Sequence, residues 1–166
     1  NWSKVDGGDQ HAMAIKTDGT MWAWGASTYG QTGTGSSSSS PAQVGALTTW
    51  ATLGITYLSS LAIKTDGTLW SWGYNYGGLL GLGNSTNYSS PKQVGALTTW
   101  SKISTGQFHT TAVKTDGTLW SWGRNAEGQL GLGNTTNFSS PKQVGALTTW
   151  LNVTAGYRHS TAITSQ

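Results

Sequence analysis

Cysteine is absent from the 166-residue sequence, and charged residues and proline are scarce. Without cysteine the chain can form neither a disulfide nor a thiolate site for metal binding or catalysis. Charged residues make up 9% of the chain, against roughly 25% in an ordinary soluble domain. No apolar run approaches the ~20 residues that a membrane-spanning helix requires, so we expect no membrane span, and no signal peptide is recognisable at the start.

The few charges also argue against two classes of function. Nine lysine and arginine residues give a net charge of +3, but they are scattered and form no basic run. A nucleic-acid surface needs such clustering, so we expect no specific nucleic-acid partner. Among the six acidic residues, Asp18, Asp66 and Asp116 recur at one repeat position. No two carboxylates converge as a catalytic pair would, so the sequence predicts neither an enzyme nor a bound cofactor or metal.

Internal repetition dominates the remaining sequence. The phrase KTDGTLWSWG stands at 64–73 and again at 114–123, and KTDGTMWAWG stands at 16–25. The tryptophan that ends LTTW recurs at positions 50, 100 and 150. These landmarks divide a single array into three complete units and the start of a fourth, which span 2–49, 50–99, 100–149 and 150–166.

Each unit has the pattern of a β-hairpin. Asp-Gly between two apolar runs is a strong hairpin signal. A two-residue loop at Asp66-Gly67 would pair Ile63 with Trp70, because the strands then meet directly beside the loop. Side chains alternate between faces along a strand, so this register predicts one bulky and one small face, and sheets that stack large face into small face. The bulky face would carry Leu61, Ile63, Trp70 and Trp72, and the small face Ala62 and Ser71.

Two further strands are predicted in each unit. One lies at WSKIS (100–104), and the other at PKQVGAL (91–97), where proline suits a strand's first residue. Four short strands in a unit of about 50 residues are typical of a β-propeller blade. We therefore predict an all-β fold of propeller blades, with three full repeats and the start of a fourth. Such an array would be part of a larger propeller, would be completed to a ring by further copies of the chain, or would stay open.

The third unit resembles a known repeat. It contains Gly-x-x-His at 106–109, Asp-Gly at 116–117, Trp-Gly at 122–123 and a GQLGLG loop at 128–133. In these features it is similar to the repeats of the regulator of chromosome condensation family, and the likeness covers essentially the whole chain. The resemblance implies a propeller, which family members usually close with seven blades.

Two recurrent residue types admit a structural and a functional interpretation. His11, His109 and His159 share one repeat position, with Ser59 in the second unit. One per blade is too sparse for a metal site, so we expect each histidine to hydrogen-bond within its own blade. All ten tryptophans fall at repeated positions, which favours a role in the blade core. The alternative is a ligand platform or a chromophore array, as in the family's plant UV-B photoreceptor.

The copies differ mainly in two short stretches. One is the pair of residues inside the Gly-x-x-His step, and the other follows Trp-Gly, at 26–29, 74–77 and 124–127. Repeat proteins keep the scaffold uniform and vary the loops that bind, and aromatic residues and arginine are frequent interface anchors. The sequence leaves open whether these stretches share one rim or lie on two. The predicted partner-binding residues are Tyr57, Tyr74, Tyr76, Phe108, Arg124, Tyr157 and Arg158.

These features predict a non-enzymatic protein-binding or structural display module, whose partner is another protein or further copies of itself in an oligomer or filament. Low charge, abundant glycine, serine and threonine, and absent cysteine suit an extracellular or virion-surface protein, although a cytoplasmic location fits the same composition. The alternative is a guanine-nucleotide-exchange or chromatin-type signalling regulator, because the family's founding member promotes nucleotide exchange on a small GTPase. The resemblance places that activity in an inserted wedge and an acidic surface, and this sequence contains neither.

Overall fold

A computed structural model describes residues 1–165; Gln166, the last residue of the fourth unit, lies outside the described part. The described residues form fourteen strands in four antiparallel sheets. Sheet 1 contains β1 (Trp2–Gly7), β2 (His11–Lys16), β3 (Met21–Gly25) and β4 (Ser38–Gln43). Sheet 2 contains β5 (Trp50–Ile55), β6 (Ser59–Lys64), β7 (Leu69–Gly73) and β8 (Tyr88–Gln93), and a single 3-10 turn covers Tyr76–Gly78. Sheet 3 contains β9 (Trp100–Thr105), β10 (His109–Lys114), β11 (Leu119–Gly123) and β12 (Phe138–Gln143), and sheet 4 contains β13 (Trp150–Ala155) and β14 (Ser160–Thr164).

Each of the first three sheets is a meander, in which four strands hydrogen-bond in chain order. Within residues 1–165, sheet 4 consists of two strands. Successive sheets stack face to face, which confirms the predicted all-β array of propeller blades.

The hairpin between the second and third strands has a three-residue loop rather than the predicted two-residue loop. In sheet 2, Ile63 pairs with Leu69, and the Lys64 amide donates to the Thr68 carbonyl at 3.0 Å. Gly67 has a φ of 77°, the left-handed conformation that closes a three-residue loop. The extra loop residue shifts the register by one position, and a one-residue shift changes the face of every side chain on one strand.

The predicted division into a bulky and a small face is therefore wrong. Residues that pair across strands share a face, so Leu61 lies beside Ser71, and Ala62 lies beside Trp70. Each interface joins an aliphatic face of one sheet to the tryptophan and alanine face of the next, where the small alanine leaves room for an indole. The first interface buries Met13, Ile15, Met21, Ala23, Val44, Trp50, Ile55, Ala62 and Trp72, and the second buries Leu61, Ile63, Leu69, Leu79, Leu80, Val94, Trp100, Ala112 and Trp122.

The fourth strand begins earlier than predicted. β8 starts at Tyr88, and Pro91 lies inside the strand instead of at its first position. Since β8 is the outer strand of its sheet, proline is tolerated there because an edge strand has a free side that needs no amide donor. The strand predicted at WSKIS is present as β9.

The recurring aspartate stabilises the hairpin tip. Asp66 Oδ1 accepts hydrogen bonds from the Thr68 amide at 2.9 Å and from Thr68 Oγ1 at 2.7 Å, and Trp70 Nε1 donates to the same Thr68 hydroxyl at 2.9 Å. These bonds from threonine hold the pKa of Asp66 below its usual value, and the pKa values of Asp18 and Asp116 are lowered in the same way. The repeated carboxylate therefore orients a turn and an indole.

Candidate functional site

Both kinds of variable loop lie at one end of the blades. In an antiparallel meander, the connection from strand one to strand two and the connection from strand three to strand four emerge at the same end. Tyr57 lies in the first kind of connection, between β5 and β6, and Tyr74 and Tyr76 lie in the second kind, between β7 and β8. The structure therefore answers the question left open by the sequence, and we call this end the variable rim.

Five aromatic side chains form a continuous row along the variable rim. Tyr29 lies 4.6 Å from Tyr74, measured between ring centroids, and Tyr74 lies 6.1 Å from Tyr76 with the rings nearly parallel. Tyr76 meets Phe108 edge to face at 5.1 Å, and Phe108 meets Tyr57 at 6.3 Å. Such edge-to-face and offset pairs fall in the favourable range for aromatic contacts. We call these five residues the aromatic row.

The aromatic row faces solvent. Tyr76 is 49% exposed, Tyr29 and Tyr57 are each 37% exposed, and Tyr74 and Phe108 are half-buried. Exposed apolar surface contributed by three successive sheets is uncommon on a protein that has no partner.

Two arginines share one acid further along the same rim. Arg124 lies 2.9 Å from a carboxylate oxygen of Glu127, and Arg158 lies 3.6 Å from the same oxygen. The guanidinium of Arg158 also lies over the ring of Tyr157, 5.4 Å from its centroid. The cluster carries one net positive charge, and Tyr157 is 59% exposed.

The cluster is continuous with the aromatic row through backbone contacts. A Cβ built on Gly77, which follows Tyr76, would lie 3.0 Å from the Arg124 amide nitrogen. The Gln107 amide, beside Phe108, donates to the Tyr157 carbonyl at 3.3 Å.

The seven predicted residues thus lie on one rim, and their role in partner binding stays a prediction. The sequence reasoning missed Tyr29, although it lies in the variable stretch 26–29. The residues at the same repeat position in the second and third units are Gly77 and Glu127, which are not aromatic. Comparison of the repeats therefore gave no signal that Tyr29 belongs to an aromatic cluster.

For His11 and His109, the prediction that each hydrogen-bonds within its own blade is wrong. His11 Nε2 lies 2.8 Å from Ser60 Oγ, which belongs to the next sheet. Ser60 Oγ donates its own proton to the Gln31 carbonyl at 2.8 Å, so it accepts the Nε2 proton of a neutral His11. His109 makes the same contact with Ser160 at 2.9 Å. His11 and His109 therefore join consecutive blades.

Burial keeps these two histidines neutral. Desolvation lowers the pKa of His11 and His109 to about 4. The glycine of the Gly-x-x-His step makes room for the ring, because a Cβ on Gly106 would lie 2.2 Å from His109 Cε1. Among residues 1–165, no three histidine, aspartate or glutamate side chains are grouped so that they could hold a metal ion.

The family models now identify the repeats. The model of the regulator of chromosome condensation (RCC1) repeat matches residues 18–54, 66–113 and 116–163, and a second model of the same description matches 2–31 and 100–129. The chain belongs to the RCC1 repeat family. Each match of the first model begins at an Asp-Gly hairpin and continues into the following sheet. The match over 18–54 ends within the first strand of that sheet, and the other two reach its second strand, so one RCC1 repeat spans parts of two blades. This membership confirms the resemblance seen in the third unit.

Three solved structures share the fold of this chain. Prp20p from Saccharomyces cerevisiae, in a structure described together with its binding to Gsp1p and histones, matches with a TM-score of 0.85 and 19% identity over 97% of this chain. Yeast RCC1 (Prp20) with bound Kap60 matches with a TM-score of 0.86 and 22% identity over 99% of this chain. Human WBSCR16 matches with a TM-score of 0.61 and 20% identity over all of it.

This RCC1-repeat chain spans 43%, 42% and 58% of those three chains, in the same order. At these identities the likeness establishes the propeller fold. No curated protein matches the chain. In the part of the chain that the structure describes, no helix is long and apolar enough to cross a membrane.

Proposed function

We propose that this chain is a protein-binding propeller module whose partner binds the variable rim. The observation that supports the proposal is the aromatic row, which gathers the side chains that differ most between otherwise near-identical repeats. Tyrosine and phenylalanine bury large areas at a low cost in conformational entropy, and arginine adds directional hydrogen bonds. The yeast relative Prp20, described with Gsp1p, histones and Kap60, supports protein binding by a propeller of this kind.

The described chemistry of the rim favours a scaffold over an enzyme. Glu127 is the acid of the cluster, and it is paired with Arg124 and Arg158. A proton relay at a catalytic site needs an accessible titratable group, whereas His11 and His109 are buried and each donates its Nε2 proton to a serine of the next sheet. Binding through aromatic and guanidinium groups needs no such relay.

The test compares the rim with an exposed apolar surface at the opposite end. The double variant Tyr76→Ala/Phe108→Ala removes the centre of the aromatic row. The control, Leu97→Ala/Leu147→Ala, removes two side chains that are 46% and 55% exposed. Leu97 and Leu147 lie in the linkers that follow β8 and β12, at the end of the blades opposite the variable rim. The hairpin tip lies at this end too, since the Trp100 amide after the first linker donates to the Gly67 carbonyl at 3.1 Å.

The measurement is quantitative capture of partners by the immobilised chain, followed by titration of each captured protein. We expect the rim variant to weaken binding by at least ~10-fold, as loss of hot-spot residues does, and the control to bind like the original chain. Equal binding by both variants would remove the proposal. A partner that also shows faster nucleotide release would support the exchange-factor alternative instead.

We further propose an extracellular or virion-surface location. The support is compositional: 9% charged residues, 24 glycines and no cysteine. Antibody labelling of intact cells or particles is the measurement, and labelling that requires permeabilisation would contradict the proposal.

A further inference from the structure

The aromatic row has a notched surface rather than a flat one. Tyr76 meets Phe108 at an angle of 65°, and Phe108 meets Tyr57 at 72°. Rings that meet at such angles form V-shaped notches, each bounded by the face of one ring and the edge of the next. A notch of this shape suits a compact, non-planar apolar group, whereas a planar base stacks on an open ring face.

The exposure of the row's centre is a property of a sheet that is covered on both faces. Tyr57 and Tyr76 lie in loops of sheet 2, which packs against sheet 1 on one face and sheet 3 on the other. They nevertheless stay 37% and 49% exposed. Stacking of the sheets therefore leaves this surface open to a partner that approaches from the variable rim.

The tyrosine hydroxyls of the row are available to a partner. Within residues 1–165, Tyr29 and Tyr74 hydrogen-bond through main-chain atoms, and no hydroxyl of the row bonds to another residue. Tyr88 behaves differently, since its hydroxyl accepts from Asn84 Nδ2 at 3.2 Å. A phenol hydroxyl is both a donor and an acceptor, so the row presents hydrogen-bond donors beside its apolar notches.

Positive charge lies next to the row. A Cβ on Gly77, the residue after Tyr76, would lie 3.0 Å from the Arg124 amide nitrogen. Glu127 is the acid shared by Arg124 and Arg158. One carboxylate for two guanidinium groups leaves an excess of positive charge, and a partner carboxylate beside Arg124 would balance it through a charge-assisted hydrogen bond.

We propose that the aromatic row binds a proline-rich segment of its protein partner in the polyproline II conformation, with an acidic residue of the segment beside Arg124. A pyrrolidine ring is compact, non-planar and apolar, which matches the notches. A polyproline II helix has no internal hydrogen bonds, so its carbonyl groups are free to accept from the tyrosine hydroxyls. Aromatic-lined surfaces recognise such segments in several classes of peptide-binding domain. The inference rests on the proposed function, because it names the chemistry of the partner for the same rim.

The size of the row matches a short segment. The steps between ring centroids from Tyr29 to Tyr74, Tyr76 and Phe108 are 4.6, 6.1 and 5.1 Å, so this stretch extends over at most about 16 Å. At about 3.1 Å per residue, about five residues of polyproline II cover that length. Because the free segment already adopts this conformation, the entropy cost of binding is low, and we expect a contact of this size to be measurable.

The test uses the whole chain and two fluorescein-labelled synthetic peptides, PPPPPPDD and DDPPPPPP, which present the acids at either end. Fluorescence anisotropy should show saturable binding of at least one of them. For the better binder, exchange of the aspartates for asparagines should weaken binding by ~2–5-fold, as loss of an exposed ion pair does. Exchange of the prolines for a flexible glycine-serine segment should weaken it by at least ~10-fold, because the preformed conformation and the pyrrolidine rings are both lost.

The row itself is tested on the protein side. Tyr76→Ala/Phe108→Ala removes both sides of the central notch and should weaken binding by at least ~10-fold. Leu97→Ala, at the opposite end of the blades, is the control and should leave binding unchanged. Tyr76→Phe keeps the ring and removes the hydroxyl, so we expect a loss of ~2–10-fold.

The charge is tested separately. Glu127→Gln leaves the two arginines without their acid, so it should tighten binding of the acidic peptide by ~2–5-fold and leave the asparagine peptide unchanged. Thermal unfolding of each variant checks that it folds. The conservative changes Tyr76→Phe and Glu127→Gln keep the test valid if the double alanine variant does not fold.

Failure of this inference is distinguishable from failure of the proposed function. The inference is refuted if neither acidic proline peptide binds saturably, if the proline and glycine-serine peptides bind equally, or if Tyr76→Ala/Phe108→Ala leaves the affinity unchanged. The proposed function would still stand if a captured protein partner required Tyr76 and Phe108. A dimer, seen by light scattering, that the same double variant dissociates would assign the row to a second copy and would also overturn the inference.

Discussion

In the second and third Trp-x-Trp pairs, the two tryptophans have different roles. The inner residues, Trp72 and Trp122, are completely buried between sheets. The outer residues are partly exposed, and a lysine ammonium lies over each ring, as Lys64 does 3.7 Å from the centroid of Trp70. A cation over an indole face is attracted by the ring quadrupole. Trp72 and Trp122 thus form the core and are not accessible as a ligand platform.

We expect Trp72→Ala to lower the free energy of unfolding by about 3–5 kcal/mol, because it removes a buried indole and leaves a cavity between sheets 1 and 2. Trp2→Ala is the matched control; Trp2 is 51% exposed, so its loss should cost less than ~1 kcal/mol. Urea denaturation followed by circular dichroism measures both. Equal losses for the two variants would contradict the assignment of Trp72 to the core.

Buried histidines make the contacts between blades sensitive to pH. His11 and His109 each donate one proton to a serine of the next sheet, and the Nδ1 atom of each is buried without a partner among the described residues. Protonation would place a charge where water cannot reach it.

We expect stability to fall as the pH drops from about 6.5 to about 4. The folded-state pKa of both histidines is about 4, below the ordinary 6.5, so in this window the unfolded chain binds more protons. The loss should reach up to about 3 kcal/mol per histidine. His11→Ser/His109→Ser copies the second unit, which has Ser59 at this position, and should flatten the profile. Chemical denaturation at a series of pH values measures it, and an unchanged slope in the variant would refute the role of the histidines.

At the scale of the element, the Asp-Gly hairpin also connects neighbouring blades through backbone hydrogen bonds. The Gly67 carbonyl accepts the Trp100 amide of the next sheet at 3.1 Å, and the Thr65 amide donates to the Thr49 carbonyl at 2.8 Å. The tip packs so closely that a Cβ on Gly67 would lie 2.1 Å from the Thr98 carbonyl oxygen. The glycine is therefore required both for its positive φ and for the close approach of two backbones.

Gly67→Ala should cost roughly 3 kcal/mol or more, since left-handed strain and a backbone clash add together. Gly95→Ala separates the two effects, because Gly95 has a φ of 62° but no described atom within 4 Å of a built Cβ. Strain alone should cost about 1–2 kcal/mol there. Thermal unfolding of both variants gives the difference, and a smaller loss for Gly67→Ala than for Gly95→Ala would be inconsistent with the close contact.

At the scale of the whole molecule, the described sheets form a stack in which each sheet makes its main contacts with its neighbours. Sheet 2 is covered on both faces, whereas sheet 4 meets sheet 3 through a small cluster that centres on Val113, Leu119 and Val153. In stacked repeats, local stability follows the number of neighbours. In this polypeptide, sheet 4 should therefore open before sheet 2.

Amide hydrogen exchange should show this gradient. We expect amides of β10 to exchange roughly two orders of magnitude more slowly than those of β14, which has one paired edge and few buried neighbours. The segments HTTAVK and STAIT have similar sequences, so differences in intrinsic exchange are small. Uniform protection across both strands would indicate that the array unfolds as a single cooperative unit.

The sequence by itself determined the fold of this protein. Repetition with a spacing of 50 residues, Asp-Gly hairpins and the Gly-x-x-His step predicted propeller blades, because identical units must each form the same local strands before they stack. The strand at WSKIS and the hairpin at Asp66-Gly67 were predicted for the same reason, since propensity and turn chemistry act over a few residues.

Tertiary structure decided the register, the partners of the histidines and the composition of the variable rim. The loop around Gly67 has three residues instead of the two that the sequence predicted, so the strand pairing is shifted by one position. This shift places Ala62, rather than Leu61, on the same face as Trp70. Ser60 accepts from His11 across a gap of 49 residues, which no local pattern specifies. The aromatic row exists because stacking brings Tyr29, Tyr74 and Phe108 of three sheets within contact. Local propensity and turn chemistry determine which residues form strands, whereas long-range packing determines which side chains come into contact.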